Sequence, residues 1–458
     1  MSFETLNLHP ALLAAVRDTG YTEATEVQQR AIPPAFEGLD LMVSSSTGSG
    51  KTASFVLPAL TRVLAARNDA AQRRGPDDAP TGPTVSPNDA PANRPARGRT
   101  RGPRVLVLVP TRELAIQVSK AAMTYGRHVR GLRVATVVGG VPYGLQLRQL
   151  SGPLDILIAT PGRLMDHMQS GKAILSHVEM LVLDEADRML DMGFIDDIQF
   201  IGQALPSERQ TVMYSATFGG HVGRLAQTLL RDPQRVDVAS HTDTHADIEQ
   251  RLHWADDLQH KNALLDHLLT DRNVDQALVF TSTQRDADRL ADRLAEMGHR
   301  VAALHGGMPQ GRRNRVLTGL RRRDLRVLVA TDVAARGIDV PTISHVINYG
   351  LPMKAEDYVH RIGRTGRAGR AGLAVTLAER RDAGMIHNIQ RFTTQRIPAA
   401  VVEGLEPKRP EPQSQTKPFG QRLGKAGFGA KPGFGKRAFG KKRHTPSSST
   451  PARRPPAR

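Results

Sequence analysis

The sequence predicts an α/β protein of two parallel sheets covered by helices, followed by a basic tail. Three observations lead there. Short apolar runs that suit buried parallel strands alternate with helical patterns through most of the chain. That alternation breaks at a polar stretch near residues 232–247 and then restarts. At 458 residues the chain is also too long for one ordinary core.

Composition narrows the classes. The chain has no cysteine, which excludes disulfides, thiolate catalysis and Cys-based zinc sites. Its start, Met1-Ser2-Phe3-Glu4-Thr5, lacks the basic and apolar regions of a signal peptide. No stretch approaches the ~18 apolar residues of a membrane span, so a cytoplasmic protein without a membrane partner is expected. The formal charge is +18, and residues 404–458 hold fourteen Lys and Arg against two acids. Most of the excess therefore lies in the tail, and a polyanionic partner is expected.

Taken in order, Leu6, Leu8, Leu12, Leu13 and Val16 predict an amphipathic helix ending at Gly20, with Tyr21 to Gln28 after it. The strand-like run Asp40 to Val43 leads into Ser44-Ser45-Ser46-Thr47-Gly48-Ser49-Gly50-Lys51-Thr52 and then a helical pattern at Phe55, Val56 and Leu60. Residues 67–103 lose apolar periodicity and fill with Pro, Asp, Ala, Gly and Arg, which predicts a disordered insertion. Strands are expected at Val105 to Val109, Val134 to Val138, Asp155 to Ala159, Met180 to Leu183 and Thr211 to Tyr214. After the break they resume at Ala277 to Phe280, Val301 to Leu304, Arg326 to Ala330, His345 to Asn348 and Leu373 to Leu377. The expected organisation is a first domain over 1–232, a linker over 233–247, a second domain over 248–403 and a tail over 404–458. Four Phe-Gly pairs, at Phe419, Phe428, Phe434 and Phe439, stand among basic residues in that tail, which cannot bury a core and is expected to be disordered.

Three stretches carry chemistry. In Ser45 to Thr52, backbone N–H groups of a Gly-rich turn at a helix start face an anion, Lys51 reaches the outer phosphates, and the Thr52 hydroxyl joins a Mg²⁺ shell. Ser45 stands where the general phosphate-loop pattern has its first Gly. In Met180-Leu181-Val182-Leu183-Asp184-Glu185-Ala186-Asp187 an apolar strand stops at two carboxylates, which emerge at the carboxyl end where open α/β sheets bind ligands. Asp184 is placed to hold Mg²⁺ through water, with Glu185 beside it to orient or deprotonate the attacking water. In His360-Arg361-Ile362-Gly363-Arg364-Thr365-Gly366-Arg367, Arg364 and Arg367 offer planar, permanent charges to a developing γ-phosphate charge, from the other domain and only after closure.

With these residues in view, the chain resembles the DEAD-box RNA helicases of superfamily two across roughly residues 1–400, and among them the bacterial RhlE-like group. The resemblance implies two tandem RecA-like domains, with ATP and Mg²⁺ as cofactors and RNA as partner. Gly20-Tyr21 through Gln28 is similar to the family's adenine-reading motif, which implies that Gln28 hydrogen-bonds the adenine edge and Phe3 stacks on it. Ala24 and Glu26 replace two prolines common there. Pro110-Thr111-Arg112, Gly139-Gly140 and Thr160-Pro161-Gly162-Arg163 match RNA-backbone motifs of the first domain, and Gln310, Arg313 and Thr331 match those of the second. Asp339 is implied in a ribose contact. Ser215-Ala216-Thr217, His360 and Arg361 are implied in coupling hydrolysis to strand separation. Gly350 and Leu320 depart from the usual Asp and Phe.

The expected activity is ATP-dependent, local unwinding of short RNA duplexes or remodelling of RNA–protein complexes, with ribosome assembly and RNA decay as open settings. Two rival readings are an RNA-annealing scaffold acting through its tail and a DNA-directed translocase of the same superfamily.

Overall fold

The computed structural model describes residues 2–45, 49–72, 102–238, 247–335, 338, 340–366 and 370–412. Two parallel sheets dominate. The first is built from β1 (Leu41–Ser44), β2 (Val105–Leu108), β3 (Val134–Val137), β4 (Ile156–Ala159), β5 (Met180–Leu183), β6 (Gln210–Ser215) and β7 (Gln234–Asp237). Their spatial order is β3-β4-β2-β5-β6-β1-β7. The second is built from β8 (Ile248–Ala255), β9 (Gln276–Phe280), β10 (Val301–Leu304), β11 (Val327–Ala330), β12 (Ile343–Asn348) and β13 (Gly372–Glu379), in the order β10-β11-β9-β12-β13-β8.

Both faces of each sheet are covered, as parallel strands without polar positions require. On the first sheet Val105, Val107, Met180 and Val182 point into one apolar layer, and Leu106, Leu108, Leu181 and Leu183 into the other. The first layer is closed by α1 (Pro10–Asp18), α2 (Glu26–Phe36), α3 (Lys51–Gln72) and α4 (Arg112–Tyr125). Beyond α5 (Tyr143–Leu150), the second layer is closed by α6 (Pro161–Gln169), α7 (Ala186–Asp191), α8 (Ile195–Ala204) and α9 (Gly220–Leu229). On the second sheet α10 (Leu258–Thr270) and α11 (Gln284–Glu296) cover one face. α12 (Gln310–Arg321) and the short α13 (Asp332–Ala335) cover the other, while α14 (Ala355–Ile362) and α15 (Ala383–Thr393) close the β8 and β13 side.

Four expectations are corrected. The opening segment is a short 3-10 turn over Phe3–Leu6 followed by α1, because Pro10 suits a first helical position and resets the start. The insertion does not begin at 67, since α3 continues to Gln72. Ala, Arg and Gln favour helix without an apolar stripe, and the Arg67 guanidinium reaches the Arg130 and Gly131 carbonyls and Asp155. Residues 73–101 lie outside the described residues. The linker does not begin at 233: Gln234–Asp237 is an edge strand parallel to β1, which needs only one apolar side, and Val236 and Val238 are buried. Residues 239–246 lie outside the described residues. The second body extends past 403, with Leu405 packed on its core and the Asp256 carboxylate accepting from the Lys408 and Arg409 backbone. Residues 413–458, which hold the Phe-Gly pairs, lie outside the described residues.

Candidate functional site

Strand order decides which loops meet. In the first sheet β5, β6 and β1 are neighbours, so their carboxyl ends bring together the Asp184-Glu185 pair, Ser215-Ala216-Thr217 and the phosphate loop. The loops after β3, β4 and β2 are neighbours on the other half, and they carry Gly140, Thr160-Pro161-Arg163 and Pro110-Thr111-Arg112. The second sheet divides alike. Gln310, Arg313 and Thr331 follow β10 and β11, whereas Arg361 and Arg364 follow β12.

On the phosphate half, alternation along β5 places Asp184 in step with Met180 and Val182, on the side of α3. Asp184 is buried, its Oδ1 has no hydrogen-bond partner among the described residues, and burial raises its pKa from the ordinary carboxylate range, with Lys51 opposing. The next residue, Glu185, takes a left-handed conformation at φ 53° and ψ 52°, which sends the chain from strand into α7. For a residue with a Cβ that costs ~1 kcal/mol. Lys51 opens α3 and its Nζ reaches the Ser45 carbonyl at 3.4 Å, while the buried Ser45 Oγ has no partner among the described residues. Thr52 is half-buried in the same first turn, beside half-buried Ser49 and Gly50. Behind the loop the Ser54 and Tyr214 hydroxyls bond at 2.8 Å, locking α3 to β6. Ser46, Thr47 and Gly48 lie outside the described residues.

Gln28 is the third helical residue of α2. Its Oε1 accepts from the Thr25 backbone N–H at 3.0 Å, and its Nε2 donates to the Gly50 carbonyl at 3.1 Å. Gly50 has φ +89°, and a Cβ there would stand 2.6 Å from Gln28 Nε2. Sequence reasoning gave Gln28 a base contact and missed this tie to the phosphate loop. Phe3, the expected stacking residue, is only 4% exposed and packs in the core, whereas Tyr21 is 55% exposed. Residue 3 sits on an apolar turn that folds under α1, which leaves the free ring face to Tyr21.

A Mg²⁺ fits this site in one particular way. Asp184 offers an unpartnered buried oxygen and Thr52 a hydroxyl at the helix start, and Glu185 follows Asp184. No group of three or more His, Cys, Asp or Glu forms a metal cage among the described residues. Such a set holds Mg²⁺ together with waters and substrate phosphates, the usual manner for that ion.

The Ser215-Ala216-Thr217 turn closes on itself: Ser215 Oγ donates to the Thr217 carbonyl at 2.6 Å and faces the Thr217 N–H at 3.3 Å. Arg361 is fully buried, paired through two bonds with Asp332 at 2.6 and 2.7 Å and lying over the Phe280 ring at 4.8 Å. It also donates to Asn348 and to the Gly350 carbonyl. A Cβ at Gly350 would stand 2.6 Å from Ser282 Oγ, which gives the departure at that position a local reason. Arg364 is buried too, with Nε on the His360 carbonyl and Nη1 on the Ile338 carbonyl, both at 3.2 Å. Arg367 and Asp339 lie outside the described residues.

On the other half Thr111 caps α4 by accepting from the Leu114 N–H, and Thr160 precedes Pro161 at the start of α6. Gly140, at φ +67°, lets the Arg112 guanidinium lie against the backbone: a Cβ would meet Arg112 Nη2 at 2.2 Å. Arg163 donates to the Val141 carbonyl at 3.1 Å. Burial lowers the Arg112 pKa, with Glu113 opposing and Arg313 and Arg163 lowering it further, so three arginines gather here around one carboxylate. Gln310 Nε2 bonds Asn314, and Thr331 is buried at the end of β11.

The bodies meet on both halves. Arg313 of α12 donates to Glu113 of α4 at 2.8 Å, with both side chains 11% exposed. On the phosphate half Arg188 pairs with Asp357, Lys354 with Asp191, and His360 stands 4.0 Å from Asp187. Sequence reasoning missed Arg188, Asp191, Lys354 and Asp357. The only signal was position, since Arg188 directly follows the acidic motif and Asp357 lies three residues before His360.

Comparisons with known proteins agree with this geometry. A DEAD/DEAH box helicase model matches residues 25–225, and a helicase conserved C-terminal domain model matches residues 260–369. ATP-dependent RNA helicase SrmB of Escherichia coli (strain K12) is 39% identical over 415 residues, covering 90% of this chain and 87% of the relative. ATP-dependent RNA helicase RhlB of Xanthomonas campestris pv. campestris (strain B100) is 39% identical over 405 residues, covering 88% of this chain and 66% of the relative. Among solved structures, S. cerevisiae Dbp5 bound to RNA and ADP BeF3 aligns with a TM-score of 0.72 at 28% identity, covering 87% of this chain and 95% of that one. With both domain models in sequence order and the alignment to SrmB running through nearly all of both proteins, the chain belongs to the DEAD/DEAH box helicase family.

Proposed function

We propose that this chain is an ATP-dependent RNA helicase that hydrolyses ATP when its two RecA-like bodies close on RNA, locally unwinding short duplexes or remodelling RNA–protein complexes. The observation that carries the reading is the shared division of the two sheets into a phosphate half and a cationic half, with ion pairs between the bodies on each. Relatives named as ATP-dependent RNA helicases, and a neighbour titled as bound to RNA and ADP BeF3, support it.

In this reading Lys51 and the N–H groups of the phosphate loop hold the phosphates, and Gln28 and Tyr21 hold the adenine by its edge and its face. Asp184 and Thr52, with Glu185 alongside, hold a Mg²⁺, which when bound neutralises charge on the outer phosphates. Glu185, turned out of the strand by its left-handed backbone, orients the attacking water and receives its proton. Arg364 and Arg367 bring permanent charge to the leaving phosphoryl from the second body, and Asp339 binds the ribose. Arg112, Gly140, Thr160, Arg163, Gln310, Arg313 and Thr331 bind the phosphodiester backbone without reading bases, and RNA is told from DNA by its 2′-hydroxyls and A-form shape. Ser215-Ala216-Thr217, His360 and Arg361 link the halves. ATP and RNA each favour the closed arrangement, so each tightens the other's binding.

No helix among the described residues is long and apolar enough to cross a membrane; a cytoplasmic setting is part of this proposal. The motif wording and basic tail favour the RhlE-like branch; the names SrmB and RhlB do not single it out.

ATP hydrolysis without nucleic acid, with single-stranded RNA and with matched DNA tests the proposal. RNA alone should stimulate, and Glu185→Gln should lower the stimulated rate by roughly 100-fold or more while ATP still binds. Equal stimulation by DNA would favour a translocase, and RNA annealing without stimulation a scaffold.

A further inference from the structure

Helix α12 carries four arginines and no acid. From Gln310 to Arg323 the sequence Gln-Gly-Arg-Arg-Asn-Arg-Val-Leu-Thr-Gly-Leu-Arg-Arg-Arg has six arginines and no acid. The preceding helix α11, on the opposite face of the sheet and more strongly amphipathic, intersperses Arg285, Arg289 and Arg293 with Asp286, Asp288 and Asp292, the ordinary pattern of a solvated face. Val316, Leu317 and Leu320 anchor α12 to the sheet. At 100° per residue Arg312, Arg315 and Arg322 fall within an arc of about 80° that looks away from that anchor, and all three are exposed.

A basic helix end needs no partner, because cations near the C-terminus are favoured by the helix dipole. That accounts for Arg321, Arg322 and Arg323, and Arg323 also pairs with Asp275 at 3.2 Å. It does not account for the other end. Arg312 and Arg315 stand in the first half of α12, where the dipole and each other's charge disfavour them, and the N-cap is Pro309, which supplies no side-chain acceptor. The Arg312 guanidinium meets no hydrogen-bond or ion-pair partner among the described residues, and Arg315 reaches only the Gly311 carbonyl at 3.4 Å. Their neighbour Arg313 is explained, since it crosses to Glu113 beside the cationic cluster of Arg112 and Arg163. The stripe therefore starts at the nucleic-acid half of the cleft and runs outward. From Arg312 to Arg322 it covers ~15 Å at the helical rise, enough to follow a strand past more than one phosphate.

We propose that Arg312, Arg315 and Arg322 form an auxiliary track for the phosphodiester backbone of RNA that flanks the segment held in the cleft. The proposal rests on the RNA helicase reading above. The track lengthens the bound segment without reading bases, so it discriminates long RNAs from short ones by charge alone.

The test uses the full chain and its Arg312→Gln/Arg315→Gln/Arg322→Gln variant, with oligouridylates of about six and about twenty nucleotides as probes. Affinity for the longer probe should fall by on the order of tenfold, and the slope of log affinity against log salt should flatten by roughly 2, at ~0.7 per lost single-strand phosphate contact. Binding and ATPase stimulation by the shorter probe should not change, and Lys at the three positions should restore the slope. An unchanged slope with the longer probe would overturn the track and leave the face to solvent or to an acidic protein. Equal losses with both probes would overturn it as well, by placing these arginines in the cleft itself. If the unaltered chain shows no RNA stimulation, the helicase reading fails, an outcome distinct from a stimulated chain that the substitutions leave unaffected.

Discussion

Removing Asp357 should open the molecule without unfolding it. Arg188 belongs to the first body and Asp357 to the second, so the pair exists only when the bodies meet. The two side chains are 5% and 10% exposed. Burial opposes the Arg188 charge, the Asp357 carboxylate together with Asp187 and Glu185 more than offsets it, and the guanidinium pKa is raised. Breaking a buried pair from one side typically costs ~3–5 kcal/mol, because the remaining charge is stranded. Asp191, 3.8 Å from Arg188, retains part of the attraction and argues for the lower end. A shift of ~3 kcal/mol is about 100-fold in the closed population. The exposed Lys354–Asp191 pair contributes little by comparison. Donor and acceptor dyes on the two bodies, read with ATP and RNA present, should show Asp357→Ala largely open. Arg188→Met in the same chain should recover much of the closure, because the stranded charge is then gone. The thermal midpoint of the ligand-free chain should move little. Closure that matches the parent, or a fall in thermal stability as large as the loss of closure, would refute the interdomain role.

Three further outcomes follow from the same geometry. Gly140→Ala should weaken RNA binding by on the order of tenfold and leave ATP affinity unchanged, because at φ +67° the new Cβ displaces the Arg112 guanidinium; equal RNA titrations of the two chains would contradict it. Gly50→Ala should act on the other ligand, weakening ATP binding by on the order of tenfold through a Cβ pressed on Gln28 Nε2 and Thr25 Oγ1 at φ +89°, as nucleotide titration would show. His253 and His345 are buried on the second sheet with pKa values lowered chiefly by burial. Their contribution to stability is present above ~6.5 and is lost as pH falls through the lowered folded values. The thermal midpoint should therefore fall more steeply below pH ~6.5 in the parent than in a His253→Gln/His345→Gln chain, and parallel curves would contradict it.

How far the sequence could be read follows from how local each signal is. The strands were legible because a fully buried parallel strand is a continuous apolar run, and Asp184 announces its end by charge alone. β7 and β8 were missed for the complementary reason: both are edge strands, which need few apolar positions, and Gln-Arg-Val-Asp of β7 offers only one. The end of α3 was misjudged because Ala and Arg carry helix propensity without periodicity. Phe3 and Tyr21 were both aromatic candidates near the base site, and only packing separates the buried ring from the exposed one. Arg188 and Asp357 are 169 residues apart, so no local pattern could pair them.

The strand order explains why one chain can couple two ligands that need not touch. With β5, β6 and β1 adjacent on one side of the first sheet and β3, β4 and β2 on the other, the phosphate and RNA loops share a rigid base yet lie apart along it. The second sheet repeats the division, so docking the bodies engages both halves together: Arg188 with Asp357 and Asp187 with His360 on one, Glu113 with Arg313 on the other. A ligand on either half that prefers the docked arrangement must favour the contacts on both. Under the proposed function the coupling free energy would reside in an interface that neither ligand has to span, and it would be reciprocal because the docked state is common to both. Weakening the Glu113–Arg313 pair should then loosen ATP binding in the presence of RNA even though neither residue lies on the phosphate half.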